Sequence, residues 1–289
     1  MSTPPLGRLY DGLLLHHSGA GRPPVVFLPG AGLTGLDFLP VQRRVAEFTT
    51  SVVYDRAGTG WSAPAELPRS AAAVATELRN LLRAAGIPGP YLLAGHSIAG
   101  LYARRFAQLF PGEVAGLLLL DPGHEDMYDH LPPDAAELNA KAQVDVDALP
   151  ELTGDQSATA RAQYRQLLAD YPEAVREPLI DRHLADWRTG PREAANMESE
   201  LFPELRDGGP IPDVPLSVVT ATGRNPFWAQ HFTEEQQRAA HAGIHALHAS
   251  IAASVSRGVH REVAASHQYP HLQQPDAVVA AVRELLAQV

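Results

Sequence analysis

Cysteine is absent from the 289 residues. Disulfides, thiolate metal sites and a cysteine nucleophile are therefore excluded. Lysine is nearly absent, Lys141 standing alone beside a basic complement that is otherwise arginine. The formal charge of −10 at pH 7 argues against nucleic acid, whose phosphates demand concentrated Lys and Arg, and against anionic membrane surfaces. No apolar run approaches the ~20 residues of a membrane span. Met1 to Gly12 has no basic segment followed by an apolar stretch, so no secretory signal is visible. The expectation is a soluble, cytoplasmic protein acting on a small molecule, with neither nucleic acid nor membrane as partner.

No solenoid-type repeat is present. Short apolar runs alternate with helical stretches, the pattern of a sheet with crossover helices. Leu13–Leu15, Val25–Leu28, Val52–Tyr54, Tyr91–Ala94, Leu216–Thr220 and Val259–Val263 read as strands. Val114–Leu120 is an almost unbroken apolar run, as expected of a strand covered on both faces. Helices are predicted over Ser70–Ala85, Leu101–Phe110, from about Thr233, where Thr-Glu-Glu-Gln makes a capping box, and over Asp276–Ala287. From His124 to about Pro210 the chain turns to Asp, Glu, Gln, Ala and Pro without a convincing strand. The reading is an α/β core of residues 1–123 and 211–289, with a helical cap, 124–210, inserted between two adjacent strands.

The segment Tyr91-Leu-Leu-Ala-Gly95-His96-Ser97-Ile98-Ala99-Gly100 runs an apolar strand into small-x-Ser-x-small and then at once into a helix. A nucleophile on so sharp a turn needs small residues two positions to either side, because side chains there collide with neighbouring backbone. Gly95 and Ala99 meet that need. The helix N-terminus favours a developing oxyanion, with the Ile98 N–H as one donor. This segment resembles the nucleophile elbow of the α/β-hydrolase superfamily, with Ala99 at the second small position. Phe27-Leu-Pro29-Gly30-Ala31-Gly32 resembles that family's His-Gly-x turn, Pro29 replacing His. Tyr54-Asp55-Arg56-Ala57-Gly58-Thr59-Gly60-Trp61-Ser62 resembles its D-x-R-G-x-G-x-S loop. The resemblance implies an α/β-hydrolase fold with a mostly parallel sheet, Ser97 as nucleophile and the Ala31 N–H as second oxyanion donor. For the Asp55–Ser62 loop the residues themselves favour a structural role, with glycines fixing the backbone and charges tying loops together.

A Ser hydroxyl needs a base, and the family carries it between the last strand and the terminal helix. His267, after Ser266, fits that layout, and His271 on the same loop is the alternative. His241, His245 and His248 share one helix face at spacings of four and three, but that face reads as solvated or partly buried rather than as a metal site. The family's acid usually follows the strand after the cap, where this chain has Asn225. A second solution in the superfamily sets the acid at the end of the preceding strand, which here is Asp121. Glu125 and Asp126 are fallbacks, and His124 is a possible neighbour of the substrate.

Together these residues describe acyl transfer: attack, acyl-enzyme, hydrolysis. Ser97 in place of an Asp nucleophile sets the chain apart from haloalkane dehalogenases and epoxide hydrolases. No phosphate loop or dinucleotide fingerprint occurs, so no cofactor and no metal are expected. Trp187, Tyr164, Leu167, Phe227 and Trp228 are candidates for an apolar cavity wall, each better explained by ordinary packing. The expected activity is a serine hydrolase cleaving an ester, lactone or thioester. The alternative is a cofactor-free lyase or cyclase of the same fold, or a small-ligand binder.

Overall fold

Runs such as Val-Val-Phe-Leu, with no polar face, have no reason to form a surface element. In the computed structural model, which describes residues 3–141, 145–224, 226–264, 266 and 268–289, they are the centre of an eight-stranded sheet. The strands are β1 (Arg8–Tyr10), β2 (Leu13–Ser18), β3 (Val25–Leu28), β4 (Ser51–Tyr54), β5 (Tyr91–His96), β6 (Val114–Leu120), β7 (Leu216–Ala221) and β8 (Gly258–Val263). Their order is β1-β2-β4-β3-β5-β6-β7-β8. The pairs β1–β2 and β2–β4 are antiparallel and all the others parallel. Every residue of β3, β4, β5 and β7 is buried, as a sheet covered by helices on both faces requires.

On one face lie α2 (Ala71–Ala84) and α3 (Ala99–Leu109); on the other lie α1 (Leu39–Val45) and the terminal helix α13 (Pro275–Leu286). Two apolar clusters result. Leu78, Leu82, Tyr102 and Phe106 pack with Leu93 and Leu117 of the sheet. Val41, Val278 and Val282 pack with Phe27, Leu92 and Leu118, the alternate residues of the same strands. Ser70 caps α2 by accepting from the Ala73 N–H.

Between β6 and β7 the described residues form helices only: α4 (Met127–His130), α5 (Pro133–Lys141), α6 (Gly154–Leu167), α7 (Glu173–Ala185), α8 (Thr189–Ala194) and α9 (Phe202–Asp207), with irregular turns among them. This segment is tied to the core by buried polar contacts. The Tyr171 hydroxyl donates to the Asp37 carbonyl at 2.7 Å, and His183 Nε2 meets the Asp37 carboxylate at 2.9 Å. After β7 come α10 (Pro226–His231) and α11 (Glu234–Ala252), and after β8 the one-turn α12 (Pro270–Gln273). The expected capping box at Thr233 is present, with Thr233 and Gln236 exchanging hydrogen bonds at 2.9 and 3.3 Å. Among the described residues, no helix is long and apolar enough to cross a membrane.

Candidate active site

The order of strands leaves β3 beside β5, with the chain winding outward in opposite directions from that pair. At such a switch point the loops beyond the carboxyl ends of the strands diverge and leave a crevice. The register decides what meets there. Leu28 pairs with Gly95, His96 with Leu120, and Leu120 with Val219. One residue further along each strand, the Pro29 turn, Ser97, Asp121 and Thr220 therefore stand side by side.

Ser97 occupies a left-handed backbone conformation, φ +54°, between β5 and α3. That conformation is costly for a residue with a Cβ, and the surroundings hold it in place. The Ser97 N–H donates to the Leu120 carbonyl at 3.0 Å, and the Ser97 carbonyl accepts from Gly100 at 2.9 Å and Gly123 at 3.1 Å. The requirement for small neighbours is met literally. A Cβ at Gly95 would lie 2.4 Å from the Ala99 carbonyl oxygen. Gly100 is a further case that the sequence motif leaves unmarked, since a Cβ there would come within 2.7 Å of Pro122 Cβ.

Ser97, Ile98 and Asp121 line one cavity of about 380 Å³ together with Pro122, Met127, Met197, Thr222, Trp228, His241, Ile244 and Gln268. Ile98 opens α3, and its N–H finds no acceptor among the described residues. Ala31 stands on the neighbouring turn. Its predecessor Gly30 is so close to Ser97 that a Cβ there would lie 3.3 Å from Ser97 Cβ. Ala31 itself does not line this cavity among the described residues; the α8 residue Gly190 packs against its carbonyl.

The Asp55–Ser62 loop has the structural part its residues suggest. The Asp55 carboxylate accepts from the Gly35 N–H at 2.7 Å and the Trp61 N–H at 2.8 Å. Burial nevertheless raises its pKa to about 6. A Cβ at Gly60 would fall within 2.1 Å of that carboxylate. Arg56 is fully buried and donates to the carbonyls of Pro29 and Gly30, the latter at 2.9 Å. It also forms a double contact with Glu193 of α8, at 2.8 and 3.0 Å. Glu193 in turn accepts from the Gly32 N–H at 2.8 Å. Burial alone would favour the neutral guanidine, but the Glu193 charge outweighs it and holds the Arg56 pKa above its usual value. The turn carrying Ala31 is thus pinned on both sides by one ion pair, half of it from the helical segment.

Asp121 also has a positive φ, +46°. Its N–H donates to the Val219 carbonyl at 2.7 Å and its Oδ1 accepts from the Ala221 N–H at 3.2 Å. Burial pushes its carboxyl up to about 7, against the smaller opposing effect of the Ala221 hydrogen bond. The alternatives to Asp121 are engaged elsewhere. Glu125 is locked to Arg104 by contacts of 2.6 and 2.7 Å, Asp126 pairs with Arg206, and neither lines the cavity. His124, beside that pair, lines a separate cavity with Arg104.

His267 and Asn225 lie outside the described residues. The residues flanking position 267 are tied down close by. Ser266 donates through Oγ to Gln273 at 2.9 Å and accepts the Gly223 N–H at 2.6 Å, and Gln268 lines the cavity. The Gln268 carbonyl accepts from His96 Nε2 at 2.8 Å. A carbonyl only accepts, so Nε2 carries the proton, and His96, buried next to Ser97, anchors the C-terminal loop. Burial lowers the His96 pKa to about 4. His271, the alternative base, is removed from the cavity. It is fully buried, stacked on Phe38 with ring centroids 4.1 Å apart, and neither ring nitrogen has a hydrogen-bond partner among the described residues.

The histidine face of α11 is partly buried, as one of the two readings of its sequence allows. His245 is exposed and meets Glu262 at 2.7 Å, but His241 and His248 both line the cavity, and His248 is only 1% exposed. The helix lies along β7 and turns Leu247, His248 and Ile251 inward, a direction that its uniform alanine content hides in the sequence. Among the described residues, no group of three or more His, Asp or Glu side chains is arranged to hold a metal. Trp228 reaches the cavity, while Tyr164 stacks on His183 and Trp187 lies under the Arg188 guanidinium. The side chain of Phe227 lies outside the description.

A family model described as the alpha/beta hydrolase family matches residues 25–281. Among curated relatives, the uncharacterized proteins YbdG and YqjL of Bacillus subtilis (strain 168) are 28% and 31% identical over 116 and 111 residues. Those matches cover 39% and 38% of this chain but only 36% and 44% of the relatives' own length. Among solved structures, the chain is similar to a thermophilic esterase from Thermogutta terrifontis. The TM-score is 0.62 and the identity 19%, over 95% of this chain and 93% of that one. It is also similar to a mutant of a putative epoxide hydrolase from Pseudomonas aeruginosa, with a TM-score of 0.69 and 21% identity over 95% and 92% of the two chains. At these identities the structural likeness speaks for the fold.

Proposed function

The chain belongs to the alpha/beta hydrolase family, and on that footing we propose that it hydrolyses a carboxylic ester, or a lactone or thioester, through an acyl-enzyme on Ser97. The observation that carries the proposal is the forced left-handed turn at Ser97, φ +54°. It sets a hydroxyl into the same cavity as the Ile98 residue that opens α3 and the carboxylate of Asp121. In the proposed sequence, His267 takes the Ser97 proton as the oxygen attacks the acyl carbon. The N–H groups of Ile98 and Ala31 receive the developing oxyanion, and His267 then returns a proton to the leaving group. Asp121 holds the imidazole and offsets its charge. Water repeats the cycle on the acyl-enzyme. Residues 124–210 form the lid of this site, with Met127 and Met197 among its walls and Glu193 joining it to the oxyanion turn.

Structural likeness to an esterase and to an epoxide hydrolase leaves two hydrolytic chemistries in the family. Position 97 favours the first, because a serine activated by a neighbouring base is suited to acyl transfer. The test is labelling with a fluorophosphonate, followed by turnover of p-nitrophenyl acetate and butyrate, with Ser97→Ala as control. Stoichiometric labelling and turnover, both lost in the variant, are expected. No label on Ser97 and no ester turnover would favour the lyase, cyclase or ligand-binding alternative.

A further inference from the structure

Along the cavity wall to which Thr220 and His248 belong, three side chains from three elements form a hydrogen-bonded chain that ends on the Asp121 loop. His260 Nε2 of β8 lies 2.7 Å from Thr220 Oγ1 of β7, which lies 2.7 Å from His248 Nδ1 of α11. His248 Nε2 lies 3.1 Å from the Pro122 carbonyl. The direction of each bond follows from proton counting. The carbonyl can only accept, so His248 carries its proton on Nε2. In the neutral ring Nδ1 is then an acceptor, and Thr220 must donate to it. The single Thr220 proton being used, His260 Nε2–H donates to the hydroxyl. Chains of this kind polarise along one direction and resist rearrangement.

The loop they reach needs holding. Asp121 is at φ +46°, and Pro122 has no N–H with which to anchor itself. Asp121 N–H is taken by Val219 and Gly123 N–H by Ser97. Among the described residues, the Pro122 carbonyl is fixed by His248. We propose that His248 is a positioning residue: it acts through Pro122 to keep Asp121 in its left-handed conformation beside Ser97. This rests on the reading of Asp121 as the acid of an acyl-transfer site.

In the full-length protein, His248→Ala is expected to lower kcat about tenfold, the effect of an acid displaced by one lost anchor, with KM within twofold. His248→Gln, whose amide can both donate to Pro122 and accept from Thr220, is expected to recover kcat to within about threefold of wild type. Imidazole ¹⁵N spectra of the wild type at pH 7.5 should show His248 protonated on Nε2 and bare on Nδ1. A His248→Ala protein with altered stability but unchanged kcat would overturn the proposal, as would the opposite tautomer. If the wild type neither takes a fluorophosphonate label nor cleaves esters, the acyl-transfer reading fails. The imidazole spectra, with the Asp121 carboxyl titration compared in wild type and His248→Ala, then decide the clamp alone. An unchanged Asp121 titration would reject it.

Discussion

Replacing Glu193 with glutamine removes a negative charge from a pair that water scarcely reaches, Arg56 being fully buried and Glu193 3% exposed. Glutamine preserves the shape and one acceptor oxygen, but the guanidinium is left without a counter-charge. Breaking a buried pair from one side costs about 3–5 kcal/mol. The two backbone carbonyls that Arg56 also meets place Glu193→Gln near the lower end, about 3 kcal/mol. For a chain of this size that corresponds to a Tm lowered by roughly 5 °C. Arg56→Met should cost more, because it strands the Glu193 carboxylate and leaves the Pro29 and Gly30 carbonyls unpaired as well. In the double variant Arg56→Met/Glu193→Gln neither member of the pair leaves a charge buried. Its loss should therefore be smaller than that of Arg56→Met alone, a strongly non-additive cycle. Urea unfolding followed by circular dichroism measures all four proteins. Ester turnover of the folded variants should fall at least tenfold, since the pair pins the turn that carries Ala31. A Glu193→Gln protein within about 1 kcal/mol of wild type, or an additive cycle, would refute the reasoning.

Other perturbations give separate checks. Gly95→Val should abolish turnover and lower stability by about 1–3 kcal/mol, because even a Cβ meets the Ala99 carbonyl at 2.4 Å; turnover near wild type would contradict the forced turn. Asp121→Asn should depress kcat roughly 10³–10⁴-fold with the fold retained by circular dichroism, and far more than Asn225→Ala; the reverse ranking would move the acid away from Asp121. His96 has a folded pKa of about 4 against 6.5 unfolded, so the unfolded chain binds the proton first as pH falls. Its contribution is intact above pH 6.5 and is lost toward pH 4, about 3 kcal/mol in all. The stability gap between wild type and His96→Asn should narrow accordingly between pH 7.5 and 4.5 in urea titrations, and a constant gap would reject the assignment. His183 shifts the other way: burial opposes its charge, yet the Asp37 carboxylate prevails and the pKa is raised. Its stabilisation is full below pH 6.5 and lost as pH rises through the folded pKa, so the advantage over His183→Gln should shrink at alkaline pH.

Much of this architecture is legible along the chain because its signals are local. Val114–Leu120 is bounded as its apolar run predicts, and α2, Ala71–Ala84, fills the stretch Ser70–Ala85 that the helical spacing predicts. The strand β1 is not legible: three largely exposed residues at a sheet edge carry no period to detect. The sharp turn at Ser97 is local too, and Gly95 and Ala99 mark it. What surrounds it is set by register between distant strands. That Asp121 stands beside Ser97 depends on β5 pairing with β6, and the Arg56–Glu193 pair joins residues 137 apart. The inward turn of His248 and the anchoring part of His96 share that origin, since a histidine's role follows from its neighbours. For His248 and His96 those neighbours come from other elements.

The most direct test of the central claim is to trap the acyl-enzyme. The protein is mixed with p-nitrophenyl butyrate, quenched in acid before the steady state and digested, and the peptide containing Ser97 is read by mass spectrometry. The account predicts a butyryl group on Ser97, formed in step with the burst of nitrophenolate and absent from Ser97→Ala. Ester turnover that persists in Ser97→Ala, or a butyryl group carried by another residue, would contradict it.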